Sequence, residues 1–249
     1  IQSSVIDIEM ASDHAIYATM MKLAKKNGIR YILSGANVAT ESGMPVSWSW
    51  RKADYMNIKD IHRKFGELKL KTFPVYSSFS QFFDKFFKNG PTKVDILDHY
   101  PFKKTEAVEL LKRDYNWVDY GGKHYESQFT KFYQAYILPK KFGIDKRISH
   151  YSALIRNNEI TREQALVEIS KPLYESLSQE NEEKSYFRKK LGFSENEFED
   201  IMNAEPVPHL FYKSDETYFM ILKKATTLLK KLGLHSIVSR YVTQNKRWN

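Results

Sequence analysis

The chain has 249 residues, 42% of them hydrophobic, which suffices to bury the core of one large domain with or without an appendage. It contains no cysteine, which excludes disulfides, thiolate catalysis and cysteine-based zinc sites within these residues. Its formal net charge of +9 fits a polyanionic partner such as a nucleic acid, ATP or a nucleotide sugar, or equally a solvated basic surface.

The apolar runs are far shorter than the ~20 residues that span a bilayer, and no signal-peptide pattern opens the chain. We therefore expect a cytoplasmic protein without membrane insertion. The first residue is Ile1 rather than methionine, which indicates a processed or truncated chain.

The first hundred residues predict an α/β pattern. Residues 4–9 alternate apolar and polar side chains, which is typical of a strand or extended segment. A helix follows over residues 14–27, with Ser12 or Asp13 as its cap and Gly28 as its stop. Residues 30–33 then form a short buried strand that leads into a loop of small residues.

Further helices are predicted over residues 54–66 and 104–113, and a short strand over residues 93–98. An aromatic helix is expected over residues 78–88, where phenylalanines recur at helical spacing. These rings fit core packing, and base stacking is the alternative.

From about residue 124 onward the pattern is nearly all helical. Thr161 with Gln164, and Ser194 with Glu197, have the spacing of capping boxes. A final helix is predicted over residues 215–232, with Gly233 after it. The expected organisation is an α/β domain over residues 1–100, followed by a helical region over residues 101–249.

Two segments carry residues suited to ligand binding. The first, residues 33–43, combines small residues after a strand with Asn37, Thr40 and the carboxylate of Glu41, a possible Mg²⁺ ligand. The second, residues 119–147, has a turn at Tyr120-Gly121-Gly122 followed by Lys123, His124, Glu126 and Lys131, which we expect to enter a helix. A helix start with Gly and Lys suits an anion, and His and Glu suit proton transfer. A structural turn with solvated charges is the alternative for each segment.

Trp48 and Arg51 form a third candidate, because an aromatic ring beside a cation can stack on a base or sugar or anchor a core. Single histidines without metal-ligand spacing are interpreted as structural: His62, His99, His150 and His209. No HExxH, GxSxG or Walker motif is present.

At these segments the chain closely resembles the N-acetyl sugar amidotransferases of lipopolysaccharide, O-antigen and flagellar-sugar pathways. The resemblance covers roughly residues 5–210 and rests on long motifs in order: DIEMASDHA at 7–15, GIRYILSGANVATESGMPVSW at 28–48, IHRKFG at 61–66, LKTFP at 70–74, YGGKHYES at 120–127 and FTKFYQAYILPKKFGIDKR at 129–147.

The resemblance implies the C-terminal part of a Rossmann-like sheet of the PP-loop ATP pyrophosphatase type. ATP with Mg²⁺ would adenylate the N-acetyl oxygen of a UDP-linked sugar, and ammonia would then replace the oxygen to give an acetamidino group. A glutaminase subunit would supply the ammonia through a cyclase-like channelling subunit. The SGGxDS phosphate loop of that family is absent from this chain, so we expect the chain alone to be inactive.

The resemblance also implies roles for individual residues. Nucleotide binding falls to Ser34, Gly35, Asn37 and Glu41, with Glu41 as the magnesium ligand; catalysis falls to Lys123, His124 and Glu126; substrate binding falls to Tyr120, Gly121, Gly122, Trp48 and Arg51. Lys146 and Arg147 are expected to hold a partner or to pair with carboxylates. Two alternatives stay open: a PP-loop enzyme that modifies tRNA, although no RNA-binding module is recognisable, and a non-catalytic module that docks the glutaminase.

Overall fold

The computed structural model describes residues 1–87 and 89–232, so the predicted role of Gly233 lies outside the described residues. The chain is α/β and mostly helical, as expected. Among the described residues the strands are β1 (Tyr31–Ser34) and β2 (Thr92–Asp95). The helices there are α1 (Met10–Lys26), α2 (Val38–Glu41), α3 (Tyr55–Phe65), α4 (Ser78–Phe86), α5 (Lys104–Tyr115), α6 (Gln128–Phe132), α7 (Leu138–Phe142), α8 (Lys146–Arg156), α9 (Arg162–Ser170), α10 (Leu177–Leu191), α11 (Glu195–Asn203) and α12 (Glu216–Lys231).

The described residues form two compact units, each assembled from separate stretches of chain. Of the described residues, unit 1 contains those within Ile1–Ile6, Ser34–Ser49 and Asp95–Pro206, and unit 2 contains those within Asp7–Leu33, Trp50–Val94 and 207–232. The predicted assignment of residues 1–100 to nucleotide binding and of 101–249 to substrate and partner binding stays a prediction.

Unit 1 is held together by aromatic rings from three helices. Phe132, Phe187 and Phe198 are almost fully buried, and the rings of Phe132 and Phe187 lie 4.4 Å apart. Between α6 and α7 the helix widens into a π-helical turn, Tyr133–Ile137. Pro139 follows this turn. Proline has no N–H to donate, and in a regular α-helix its ring would clash with the carbonyl four residues earlier, so the widened turn accommodates it.

Both predicted capping boxes are present in unit 1. The Thr161 side chain accepts from Gln164 N while Gln164 reaches back to Thr161 N, and Ser194 and Glu197 do the same at α11. Arg147 pairs with Asp145 and donates to backbone carbonyls at the end of α9, so it bonds within the chain.

In unit 2 the buried residues Ala18 and Met21 of α1 form a small apolar cluster with Tyr76. His14 is buried beside this cluster: its Nδ1 bonds Lys52 O and its Nε2 accepts from Tyr76 N. Both ring nitrogens of His14 are thus used in contacts with the backbone, which is a structural role.

A second buried network in unit 2 centres on Asp54, the N-cap of α3. Its carboxylate accepts hydrogen bonds from His209 Nε2 at 2.9 Å, Ser214 Oγ at 2.6 Å, Asn57 N at 3.0 Å and Asp215 N at 3.2 Å. Burial opposes the charge of this carboxylate, but the donors outweigh burial and lower the pKa of Asp54. The network ties the segment before α12 to the start of α3.

Several expectations at the start of the chain are wrong. Residues 4–9 form no strand, because Ser4 adopts a positive φ of 53° and its N–H bonds Ile1 O in a turn. The first helix begins at Met10, behind Glu9, and neither Ser12 nor Asp13 caps it; Ser12 Oγ donates to Glu9 O instead.

The strand pair is parallel, and it is the single sheet among residues 1–87 and 89–232. Strand β1 lies where predicted but is not buried: Tyr31 is 64% exposed and Leu33 67% exposed. In α4 the ring of Phe86 is buried, whereas Phe79 and Phe83 are exposed, so core packing accounts for part of the aromatic helix only.

In the part of the chain that the structure describes, no helix is both long enough and apolar enough to cross a membrane.

Candidate functional site

The small-residue loop after β1 folds into the short helix α2. Asn37 caps this helix: its Oδ1 accepts from Thr40 N at 2.8 Å and from Thr40 Oγ1 at 3.0 Å. Ser34 Oγ accepts from Ala36 N at 3.1 Å, and Asp98 accepts from Val38 N at 2.8 Å. The polar groups of Ser34 and Asn37 therefore shape the loop itself, and a hypothetical Cβ on Gly35 would meet nothing within 4 Å, so a ligand could approach closely there.

Helix α2 packs on α8 through two side chains of α8. His150 Nδ1 lies 3.4 Å from Thr40 O, and Arg156 donates to Ser42 Oγ at 2.8 Å. Gly43 has a φ of +95°, and a Cβ there would lie 2.5 Å from the Arg156 guanidinium. Glycine at position 43 thus permits both the backbone turn and the close approach of Arg156.

The second segment forms a tight turn ahead of α6. Gly121 has a φ of +79°, and its N–H donates to Asp119 at 3.0 Å. A Cβ on Gly122 would lie 2.7 Å from the ring of Tyr125, so the turn packs closely at that position. Tyr120 is exposed.

Lys123, His124 and Glu126 belong to this turn and not to a helix, which corrects the sequence-based expectation. Helix α6 begins at Gln128, because Ser127 caps it by accepting from Thr130 N. His124 itself adopts a positive φ of 65°. Its imidazole lies 3.7 Å from the Glu126 carboxylate, and both side chains are about half exposed.

The structure brings the two predicted segments together within unit 1. Lys123 Nζ lies 3.3 Å from Glu41 Oε1 and 3.3 Å from Thr40 O. The loop predicted to bind a nucleotide and the turn predicted to act on the sugar therefore meet at Glu41 and Lys123. The binding and catalytic roles of these residues stay predictions.

Two further residues belong to this cluster, Lys104 and His150, and the sequence predicts neither of them as a site residue. Lys104 Nζ lies 3.3 Å from His150 Nε2, and the opposite nitrogen of His150 faces Thr40 O. Burial, Lys104 and Lys123 lower the pKa of His150 to about 4. The His150 imidazole is therefore neutral at physiological pH. We name Lys104, Lys123, His150 and Glu41 the lysine–histidine cluster.

Trp48 and Arg51 lie in different units. Trp48 ends a 3₁₀ turn of unit 1 and is half-buried. Arg51 bonds Asp215 and Glu216 of unit 2 at 2.5 and 2.7 Å, with its guanidinium 3.9 Å from the ring centre of Phe219. Burial opposes the Arg51 charge, but the bonds to both carboxylates outweigh it and raise its pKa. The substrate-binding roles of Trp48 and Arg51 stay predictions.

Glu41 offers one carboxylate for a divalent cation, with an ammonium group beside it. No group of three or more histidine and acidic side chains with metal-binding geometry occurs within residues 1–87 and 89–232. A magnesium ion at Glu41 would need phosphate oxygens and waters to complete its shell, as is usual for nucleotide-bound Mg²⁺. The assignment of magnesium to Glu41 stays a prediction.

Residues 126–226 match the family described as LPS biosynthesis protein WbpG-like, C-terminal domain. No curated protein and no solved structure matches the chain.

Proposed function

Because residues 126–226 match a WbpG-like C-terminal domain of lipopolysaccharide biosynthesis, we propose that the chain acts in an amidotransferase of surface-polysaccharide synthesis. The reaction would be the ATP-dependent conversion of the N-acetyl group of a UDP-linked sugar to an acetamidino group, with ammonia from a glutaminase partner. The family match carries this proposal, and the meeting of two motif segments at Glu41 and Lys123 supports it.

In this proposal the lysine–histidine cluster binds and orients the substrate. Lys123 and Lys104 supply positive charge for a sugar nucleotide, and Glu41 holds Lys123 in place. ATP, when bound, supplies the group that turns the amide oxygen into a leaving group. The chain must also exclude water, so that ammonia rather than water attacks the carbon.

We further propose that β1 and β2 belong to a larger Rossmann-like sheet. The supporting observation is an open apolar groove of about 760 Å³ between α1 and β1, lined in part by Ile16, Leu23 and Tyr31. These three side chains are 54–67% exposed. Strands of a parallel sheet are normally covered on both faces, so a further strand and helix would bury this groove.

The decisive experiment measures AMP release by the intact enzyme that carries this chain. Mg-ATP, ammonium ion and a panel of UDP-linked N-acetyl sugars are supplied, and the products are weighed by mass spectrometry. The proposal expects AMP and a sugar lighter by the difference between O and NH. Lys123→Met is expected to lower the rate at least ~10-fold, since it removes a charge-assisted contact. If bulk tRNA supports AMP release and none of the sugars does, the proposal is refuted and tRNA modification is established.

A glutaminase partner is the second element of the proposal. Helix α9 exposes the adjacent apolar residues Leu166 and Val167, 54% and 59% exposed, which is where a partner could bury apolar area. Leu166→Glu with Val167→Glu is expected to abolish co-purification with the glutaminase while leaving AMP release from free ammonium unchanged. Unchanged co-purification would exclude this surface.

A further inference from the structure

The lysine–histidine cluster contains two ammonium groups, and only Lys123 has a carboxylate within ion-pair distance among the described residues. Lys123 has the carboxylate of Glu41 at 3.3 Å. Lys104 makes no ion pair within residues 1–87 and 89–232, and its one hydrogen bond there goes to an uncharged imidazole. Burial and the nearby Lys123 lower the pKa of Lys104, and Asp119 and Glu159 oppose this only in part. An anion that approaches Lys104 would therefore be its first ion-pair partner among the described residues.

The hydrogen bonds of His150 define its tautomer. Thr40 O can only accept, so the proton is on Nδ1, 3.4 Å away. Nε2 therefore carries a lone pair and accepts from Lys104 Nζ at 3.3 Å. If Lys104 turned towards an anion, Nε2 would lose its donor and become free to take a proton.

Charged and polar groups from three parts of unit 1 act on this imidazole. Lys104 comes from α5, Lys123 and His124 from the turn before α6, and Thr40 and Glu41 from α2. Lys104, Lys123 and His124 all disfavour a positive charge on His150. An anion placed among them reverses that effect, because it neutralises the lysines and attracts the imidazolium.

We propose that Lys104, Lys123 and His150 form a binding site for a phosphoryl group, and that His150 takes up one proton from solvent at Nε2 when the anion binds. The site is accessible, since Lys123 is 29% exposed and His150 is only partly buried. Phosphate oxygens accept from ammonium and imidazolium N–H groups, and the charges then balance. That the anion is the diphosphate of a sugar nucleotide rests on the proposed function; anion binding itself does not.

The test follows the histidine Cε1–H signals by NMR while inorganic diphosphate, UDP, AMP or uridine is added at pH 6. His150 is assigned with His150→Asn, and the exposed His99 is the internal control. The expected result is a shift of His150 towards the protonated form with diphosphate and UDP, and none with uridine. If AMP shifts the His150 signal as much as UDP does, the site binds any phosphate monoester, and a preference for diphosphates is refuted.

A matched pair of variants separates a site from general attraction. Lys104→Gln is expected to weaken UDP binding at least ~10-fold. Its neighbour Lys103, which is exposed and pairs with Glu106, gives the control Lys103→Gln, with binding within about twofold of the parent. Lys104→Arg keeps the charge and should retain binding, which guards against a folding defect. Equal losses in Lys104→Gln and Lys103→Gln, or an unmoved His150 signal, would overturn the proposal.

The two proposals fail separately. If UDP binds with the expected His150 shift but no sugar supports AMP release, the anion site is supported and the proposed amidotransferase activity is refuted. If sugars support AMP release, Lys104→Gln does not change its rate and the His150 signal does not shift, the amidotransferase activity is supported and the anion site is refuted.

Discussion

Replacing Asp54 by alanine is the strongest test of how unit 2 is held together. The carboxylate is 1% exposed and receives four hydrogen bonds, from His209, Ser214 and the N–H groups of Asn57 and Asp215. Asp54→Ala removes the acceptor and leaves all of these donors in a buried space. Solvent cannot easily replace the carboxylate there, so the loss is larger than that of an ordinary helix cap.

The expected magnitude follows from two contributions. Loss of an N-cap costs about 1 kcal/mol. Each buried donor left unsatisfied costs about 1–3 kcal/mol. These overlap, so we expect about 4 kcal/mol. With a urea dependence of about 2–3 kcal/mol per molar, the midpoint should fall by about 1.5 M.

The assay is urea unfolding followed by tryptophan fluorescence and circular dichroism. Trp50 stacks on His209 at 4.4 Å and reports on the network directly. The matched control is Ser194→Ala, which removes the exposed cap of α11 and should cost about 1 kcal/mol. If Asp54→Ala costs no more than Ser194→Ala, the network contributes nothing beyond a cap, and the reasoning is refuted.

The pH dependence of Asp54 has a definite sign. Its pKa is lower in the folded state than the usual ~3.9, so its stabilisation is fully present above pH ~4 and is lost as the pH falls through the folded value. Asp54→Asn should therefore flatten the acid side of the stability curve. An unchanged acid limb would contradict this assignment.

Three further predictions concern unit 1. Phe198→Ala, at a fully buried ring, should cost about 3–5 kcal/mol by thermal unfolding, and a loss below 1 kcal/mol would contradict the aromatic core. Gly43→Ala should loosen α2, because its Cβ would meet Arg156 at a positive φ; faster hydrogen exchange in α2 is expected, and unchanged exchange would argue against the close approach. Arg147→Lys should cost about 1–2 kcal/mol, since lysine cannot donate to Asp145 and the α9 carbonyls together, and equal urea midpoints would refute this.

Local signals in the sequence predicted local structure well. The capping boxes at Thr161 and Ser194 are present because the bonding partners lie three residues apart, and the final helix also lies where expected. The predicted start of α1 is wrong. The turn at Ser4 and the backbone at Glu9 precede the helix, and the side chains of Ser12 and Asp13 do not cap it.

The cluster in unit 1 could be predicted only in part. The segments holding Glu41 and Lys123 were both selected, but nothing in their spacing shows that the two side chains meet. The sequence predicts a structural role for His150, because this histidine stands alone without metal-ligand spacing. Its partners Thr40 and Lys104 lie 110 and 46 residues away along the chain. Such pairings are products of tertiary folding and leave no periodic pattern in the sequence.

The interleaving of the two units has a consequence for how the chain reaches its native state. Each unit forms only when stretches that lie far apart in sequence meet, so its contacts have high contact order. The chain must close large loops, at a cost in entropy, before the burial of apolar surface can offset that cost. The matched stretch 126–226 itself runs from unit 1 into unit 2 at Val207. Excising it would cut α12 after residue 226 and separate it from its unit 2 neighbour α4, so slow refolding and aggregation of that excised fragment are the expected behaviour.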